Sequence, residues 1–240
     1  MKESFNLAEI LTSIQKGLKM ASDPLVKESS ARFFKEAVKS HGVKIPVARQ
    51  IGKKYLPVLK NRPKAEVFSL CERLWMSGLM EEAMIACMFS YSVKKQFEAN
   101  DFQVFEHWVS RYVTNWASCD TLCNHTVGMF LVQFPEFVPE LKRWAKDDNR
   151  WMRRAAAVSL IVPVANGSFI KDALQISKIL LKDTDDLVRK GYGWMLKSAS
   201  EFDPATVFDF VMKHKAEMPR TALRYAIEKL NPAHKKLAMA

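Results

Sequence analysis

The sequence predicts an all-α fold, and three observations carry that prediction. Apolar residues recur at three- to four-residue spacing along almost the whole chain. The sequence lacks runs of alternating Val, Ile, Thr and aromatic residues bounded by hairpin turns. Prolines stand where helices can begin, at Asp23-Pro24, Ile45-Pro46, Arg62-Pro63, Phe134-Pro135, Asp203-Pro204 and Met218-Pro219. We therefore expect many short helices.

The apolar periodicity and these start signals place the helices in order along the chain. The predicted segments are Phe5–Ala21, Pro24–Ser40, Pro46–Tyr55, Pro63–Ser77, Glu81–Lys95, Phe102–Asn115, Asp120–Phe134, Phe137–Lys146, Arg150–Ala165, Ile170–Leu181, Leu187–Ser200, Pro204–Lys213 and Pro219–Leu230. Helix pairs then recur roughly every 35 to 45 residues, near the period of HEAT-type units, which bury their apolar faces by stacking. We expect one domain over residues 1–240, a right-handed α-solenoid of HEAT-like antiparallel helix pairs with a concave basic groove. An irregular helical bundle stays open, because no strict repeat is visible.

The composition is that of a folded protein outside the membrane. Hydrophobic residues make up 48% of the chain and charged residues 26%, which excludes a largely disordered chain. No stretch approaches the ~18 consecutive apolar residues of a membrane span, and Met1-Lys2-Glu3-Ser4 leads into an amphipathic segment rather than a signal peptide. We expect a soluble, intracellular protein whose four cysteines form no disulfide.

The positive charge is concentrated in the second half of the chain. The net charge is +11; residues 1–140 hold 18 basic and 15 acidic side chains, and residues 141–240 hold 19 and 11. Such a surplus favours a polyanionic partner such as nucleic acid, although basic proteins without one are common.

Three segments of the second half interleave aromatic and basic residues at a spacing of roughly one repeat. They are Arg150-Trp151-Met152-Arg153-Arg154, Arg189-Lys190-Gly191-Tyr192-Gly193-Trp194 and Arg220-Thr221-Ala222-Leu223-Arg224-Tyr225. Equivalent helices of successive repeats would align these cations into a stripe along a phosphate backbone. Alternatively, Trp151, Trp194 and Tyr225 are core residues and the cations form a solvated face.

An ordered set of motifs over nearly the whole chain resembles the AlkD-like DNA alkylation repair enzymes, a family of HEAT-like-repeat DNA glycosylases. The motifs are Phe33-Phe34 followed by His41-Gly42-Val43-Lys44-Ile45-Pro46, Trp75 through Glu81-Glu82-Ala83, Asn115-Trp116-Ala117-Ser118-Cys119-Asp120, Arg150-Trp151-Met152-Arg153-Arg154 and Lys190-Gly191-Tyr192-Gly193-Trp194.

This resemblance implies a catalytic cleft lined by Trp116, Asp120 and Arg154. It also implies a second cleft tryptophan, Trp194, and an N-terminal aromatic near the DNA, Phe33. Where the family can show a pair of aromatics ahead of Trp194, this chain has Asp186-Leu187. The expected DNA- or lesion-binding residues are Trp194, Phe33, Trp151, Lys190, Arg150, Arg153, Arg189, Arg220, Arg224 and Lys44.

The residue types suit the removal of an alkylated base. Alkylation at N3 of adenine or N7 of guanine makes the base a cationic leaving group, so general acid catalysis is dispensable. A carboxylate, here Asp120, would stabilise the oxocarbenium-like sugar and position the attacking water. Trp116 and Trp194 would offer their ring faces to the cation, and Arg154 would hold a phosphate. An isolated Trp-x-x-x-Asp is also typical of a core tryptophan followed by a helix-capping Asp120.

No cofactor is expected. Cys119, Cys123 and His125, with His107 nearby, lack the ligand spacing of zinc sites. The sequence contains no P-loop, and Gly191-x-Gly193 lacks the third glycine of a dinucleotide fingerprint. We therefore expect neither a metal nor a nucleotide.

The leading hypothesis is a monofunctional alkylpurine DNA glycosylase, a monomer in a bacterial-type cytoplasm, associated with the nucleoid. Its partner would be duplex DNA containing alkylated purines, with no membrane. Two alternatives remain: a non-catalytic HEAT-repeat protein that binds damaged or branched DNA, and a helical-repeat scaffold that binds another protein.

Overall fold

A computed structural model describes residues 6–240 of the chain. The predicted helix start at Phe5 and the segment Met1-Lys2-Glu3-Ser4 lie outside the described residues. The described part consists of helices, turns and loops without strands, so the predicted all-α class is confirmed. Within residues 6–240, no helix combines the length and the apolar character that a membrane crossing requires.

Seventeen α-helices follow one another in the described chain. Their bounds are α1 Leu7–Met20, α2 Pro24–Ala31, α3 Ile45–Lys53, α4 Leu56–Leu59, α5 Lys64–Met76, α6 Met80–Ser92, α7 Asp101–Tyr112, α8 Trp116–Thr121, α9 Gly128–Gln133, α10 Glu140–Trp144, α11 Arg150–Val158, α12 Ile161–Ala165, α13 Ile170–Leu180, α14 Asp186–Phe202, α15 Pro204–His214, α16 Arg220–Ala226 and α17 Pro232–Met239. Two 3₁₀ turns, Lys94–Gln96 and Pro135–Phe137, and a π-helical segment, Leu122–Val127, complete the helical structure.

The local start signals work as predicted. Each of the six prolines named above as helix-start signals stands within two residues of the start of a helix or 3₁₀ turn. Polar caps are added where the side chain of the preceding residue accepts a backbone N–H, at Asn6, Asp23, Asn149, Asp185 and Asp203.

Several helix ends differ from the predictions. The segment predicted as one helix over Pro24–Ser40 is helical only to Ala31. The helix predicted over Arg150–Ala165 is split into α11 and α12, and α17 was not predicted at all. Pro163 inside the predicted helix explains the split, because proline cannot donate to the preceding turn.

The contacts group the chain into two compact units, one ending at Leu122 and the other spanning Cys123–Ala240. The single domain over residues 1–240 stays a prediction. In the first unit, α6 lies at the centre and packs against α3, α4, α5 and α8. Its residues are buried on nearly every side, including the charged Glu81 and Glu82.

The Glu81 carboxylate binds the backbone of the segment between α2 and α3, here called the 40–43 loop. Its Oε1 accepts hydrogen bonds from the N–H of Gly42 at 3.0 Å, the N–H of Val43 at 2.9 Å and the hydroxyl of Ser40 at 2.8 Å. Its Oε2 accepts the N–H of His41 at 2.9 Å. These four donors satisfy a charge that would otherwise be costly to bury.

The second unit is built from helix pairs. The pairs α10/α11, α13/α14 and α15/α16 each pack together, and their HEAT-like character stays a prediction. Their second helices also pack in series, α11 on α14 and α14 on α16. The three segments that interleave aromatic and basic residues therefore lie on neighbouring helices.

We predict that Gly42→Ala destabilises the protein by about 3 kcal/mol, because a non-glycine residue at positive φ and a steric overlap add together. Gly42 has φ +80°, and an added Cβ would lie 2.8 Å from both the carbonyl oxygen of Asp23 and Cβ of Lys27. Gly78→Ala is the matched control, since Gly78 has φ +67° but nothing within 4 Å of an added Cβ. It should cost only about 1 kcal/mol. Urea unfolding of both variants measures the difference, and equal losses would contradict the packing role of Gly42.

Candidate functional site

Helix α8 carries two of the predicted catalytic residues and begins earlier than predicted. Oδ1 of Asn115 accepts the backbone N–H of Ser118 at 2.9 Å, so Asn115 is the N-cap and Trp116 is the first helical residue. Asp120 therefore lies in the second turn of the helix. The prediction of a helix starting at Asp120, with Asp120 as its possible cap, is wrong, because Asn115 supplies the cap.

Trp116 and Asp120 lie on the same face of α8, because residues four apart are neighbours on a helix surface. Asp120 is only 9% exposed, whereas Trp116 is half-buried. Its burial places the Asp120 side chain in surroundings of reduced dielectric constant, where a charge acts more strongly than in water.

The aromatic partner of Trp116 is Phe34. The two rings are stacked, with centroids 5.4 Å apart and an interplanar angle of 29°. The adjacent Phe33, predicted to lie near the DNA, is 76% exposed, and its DNA contact stays a prediction. The sequence showed the pair Phe33-Phe34, but which ring faces Trp116 depends on the turn after α2.

A π-helical segment, Leu122–Val127, follows α8 directly. π-helical turns are rare in proteins, and those that occur are often found at functional sites. This segment begins two residues after Asp120. Sequence periodicity predicts helix here but does not distinguish π from α geometry.

In the second unit, Arg154 of α11 packs against α14. Arg154 is 5% exposed, and its Nη1 donates a hydrogen bond to the carbonyl of Leu187. An added Cβ on Gly191 would be 3.5 Å from Cγ and Nη1 of Arg154, so the arginine side chain lies along the helix at the glycine. Trp194, on the same helix, is half-buried. The catalytic role predicted for Arg154 and the lesion contact of Trp194 stay predictions.

Two of the predicted DNA-binding arginines are paired with acids that precede α14. Nε of Arg150 lies 2.8 Å from Oδ2 of Asp185, and Nε of Arg153 lies 2.6 Å from Oδ2 of Asp183. The guanidinium of Arg150 also covers the ring of Trp151, 4.8 Å from its centroid. Trp151 is buried, so its environment is that of the core residue weighed as the alternative.

The remaining predicted DNA-binding cations differ in their partners. Arg189 donates to the carbonyl of Asp183 at 2.6 Å, and Lys190 lies 2.8 Å from Asp186 in an i, i+4 pair. The exposed residues are Arg220 and Arg224 of α16 and Lys44, which precedes α3. DNA contact by each of these residues stays a prediction.

Three further observations concern the protonation of side chains and the possible ligands of a metal ion. Burial raises the pKa of the Tyr192 hydroxyl on α14, so that group stays protonated at neutral pH. All four cysteines are buried free thiols. Over the described residues 6–240, no three His, Cys, Asp or Glu side chains are grouped to hold a metal ion.

We predict that Gly191→Ala and Gly193→Ala have opposite effects on stability. Replacing a helical glycine by alanine gains up to about 1 kcal/mol where there is room, and at Gly191 the nearest contact of an added Cβ is an ordinary 3.5 Å. At Gly193 an added Cβ would lie 2.8 Å from Cβ of Tyr225 and 2.9 Å from the carbonyl oxygen of Ala222. Overpacking there should cost about 1–3 kcal/mol. Thermal and urea unfolding compare the pair, and a stabilised Gly193→Ala would refute the close packing of α14 on α16.

Comparison with known proteins identifies a family and a related fold. Residues 14–230 match the family described as DNA alkylation repair enzyme. The solved structure described as a predicted DNA alkylation repair enzyme from Enterococcus faecalis matches with a TM-score of 0.78 and 17% sequence identity, covering 88% of this chain and 97% of that chain. This likeness shows a shared fold. A search of curated proteins returned no match.

Proposed function

The chain belongs to the family of DNA alkylation repair enzymes, and from that premise we propose that it is a monofunctional DNA glycosylase. Its substrates are positively charged alkylated purines, N3-alkyladenine and N7-alkylguanine, in duplex DNA. The observation that carries the proposal is the position of Asp120, a mostly buried carboxylate on the same face of α8 as the half-buried indole of Trp116.

The substrate needs little help from an acid. An alkylated purine carries a positive charge, and the electron pair of the broken N-glycosidic bond neutralises it as the base departs. The sugar meanwhile gains oxocarbenium character. Catalysis therefore depends on stabilising a cation at the sugar and on delivering water to it.

Asp120 is suited to that task. Its charge would lie beside the developing cation, and its burial would strengthen the interaction relative to bulk water. Water then bonds to the anomeric carbon, and its proton passes to Asp120 or to solvent. The products are the free base and an abasic site. No lysine has been assigned as a Schiff-base nucleophile, so we propose no strand cleavage.

Trp116 would present its ring face to the cationic nucleotide. An indole face attracts a cation by roughly 0.5–2 kcal/mol, depending on how far water is excluded. One face of Trp116 is stacked on Phe34, which limits the rotation of the indole. A ring held in one orientation loses less conformational entropy when the substrate binds.

The second unit would supply DNA contacts. We propose that Trp194 contacts the lesion and that Arg154 holds a DNA phosphate. The exposed Arg220 and Arg224 would bind the sugar-phosphate backbone of the DNA. We also propose that the protein acts as a monomer, because none of these roles requires a second copy.

We predict that Asp120→Asn lowers base release by a hundredfold or more while DNA affinity stays nearly unchanged. Loss of one electrostatic group aimed at the transition state typically costs about 10²–10³ in rate. The assay measures release of N7-methylguanine and N3-methyladenine from duplex DNA in single turnovers, with binding measured at the same salt concentration.

Asp209→Asn is the control for this prediction, because Asp209 is an exposed aspartate of α15 to which no role is assigned. Equal losses of binding and release in Asp120→Asn would remove Asp120 from catalysis. No release by the wild type, despite salt-sensitive DNA binding, would favour the non-catalytic DNA-binding alternative.

We predict that Arg154→Met weakens DNA binding and makes its salt dependence shallower by about one unit of slope, because one phosphate contact is lost. Methionine keeps most of the buried side-chain volume. The measurement is the dissociation constant over a series of salt concentrations, with urea unfolding alongside. A loss of stability with an unchanged slope would assign Arg154 to the packing of α11 on α14 instead.

A further inference from the structure

We infer that Glu81 is a positioning residue for the candidate site. Through the 40–43 loop, it fixes the start of α2 and thereby holds Phe34 against Trp116. Its importance for base release rests on the proposed function, but its effect on the orientation of Trp116 does not.

The first step of the inference is that α2 has few side chains of its own to fix its position, since only Val26 and Ser30 are partly buried. None of its eight residues is buried. A helix with so little buried surface gains little from the hydrophobic effect, so its place in the fold depends largely on contacts at its ends.

The second step is that those contacts come from the 40–43 loop. The N–H of Asp23, the N-cap of α2, donates to the carbonyl of Gly42 at 3.0 Å. The hydroxyl of Ser22 donates to the carbonyl of His41 at 2.5 Å. Gly42 lies so close to the first turn of α2 that an added Cβ would overlap Lys27.

The third step is that the opposite side of this loop is fixed by the start of α6. Besides the four hydrogen bonds to the Glu81 carboxylate, the N–H of Met80 donates to the carbonyl of Lys39 at 3.0 Å, and Nε2 of His41 lies 2.9 Å from Oε1 of Glu82. Glu81 is completely buried. It therefore supplies most of the polar connection between α6 and the segment that holds α2.

The fourth step leads to the aromatic pair. Phe34 follows α2 by three residues, in a turn closed by the hydrogen bond from its N–H to the carbonyl of Ala31 at 3.1 Å. Trp116 belongs to α8, which packs on α6. The positions of both stacked rings thus depend on α6. Trp116 depends on it through the packing of α8, and Phe34 depends on it through Glu81.

Glu81→Gln tests this connection with little change in shape. The amide keeps one acceptor, but its NH₂ group would face a backbone or hydroxyl donor of the loop, so at least one hydrogen bond is replaced by a repulsive contact. Glu72→Gln is the matched control. Glu72 is another acid of the first unit with several hydrogen-bond partners, the side chains of His107, Trp108 and Tyr112, but it does not contact the 40–43 loop.

The first readout is ¹⁹F NMR of the full chain labelled with 5-fluorotryptophan. The Trp116 resonance is assigned by its loss in Trp116→Phe, and Phe34→Leu gives the shift that follows when the stacked ring is removed. We expect Glu81→Gln to broaden the Trp116 resonance or to move its chemical shift towards the value seen in Phe34→Leu. Glu72→Gln should leave the chemical shift of Trp116 unchanged. An unmoved Trp116 resonance in Glu81→Gln overturns the inference, whether or not the protein is a glycosylase.

The second readout is base release in single turnovers. Misplacement of a site by about 1 Å can cost a factor of 10² in rate, so we expect Glu81→Gln to slow release about ten- to a hundredfold. If Glu81 acts through Phe34, the double variant with Phe34→Leu should be little slower than the slower single variant. Losses that multiply would refute the connection, whereas no release by the wild type would refute only the proposed function.

Ser40→Ala keeps the test open should Glu81→Gln fail to fold. It removes one of the four donors to the Glu81 carboxylate. The Trp116 resonance should then shift in the same direction by a smaller amount, and an unchanged resonance would again overturn the inference.

Discussion

The hydrogen bonds between the buried Glu81 carboxylate and the 40–43 loop are the interaction on which the loop and the start of α2 depend. A charge in the interior is stable only when its hydrogen-bonding capacity is filled, and here four donors of the 40–43 loop fill it. The carboxylate also lies in the first turn of α6, where the helix dipole favours a negative charge. The carboxylate also pairs backbone N–H groups that lie outside regular secondary structure, and so allows an irregular loop to be buried.

Acidic side chains play a related part in the second unit. Asp183 and Asp185 precede α14 and pair with Arg153 and Arg150 of α11, so these arginines connect two adjacent helices. The sequence had suggested a stripe of cations along a phosphate backbone. Arg150 and Arg153 of that predicted stripe are paired with acids of the protein itself, and the net charge of +11 already counts those acids.

Features set by nearby residues were predictable from the sequence, and features set by distant ones were not. The helical class, the proline starts and the four-residue spacing of Trp116 and Asp120 are local and were predicted. The end of α2 at Ala31 was missed, because the chain there leaves the helix to form a loop whose partner, Glu81, lies about 40 residues away. The predicted helix start at Asp120 is wrong because Asn115, like Asp120, is a residue type that caps helices, and its side chain accepts the N–H of Ser118.

The same distinction applies to the candidate site. Retaining Trp116 and Asp120 fixes which chemical groups stand on one face of α8, because helical spacing alone places them there. The orientation of the indole is a separate property. It depends on the ring of Phe34, and hence on a loop held by an acid on another helix. A chain that kept Trp116 and Asp120 but lost Glu81 or Gly42 would therefore keep both side chains without their arrangement, and under the proposed function a transition state is stabilised by geometry as much as by charge.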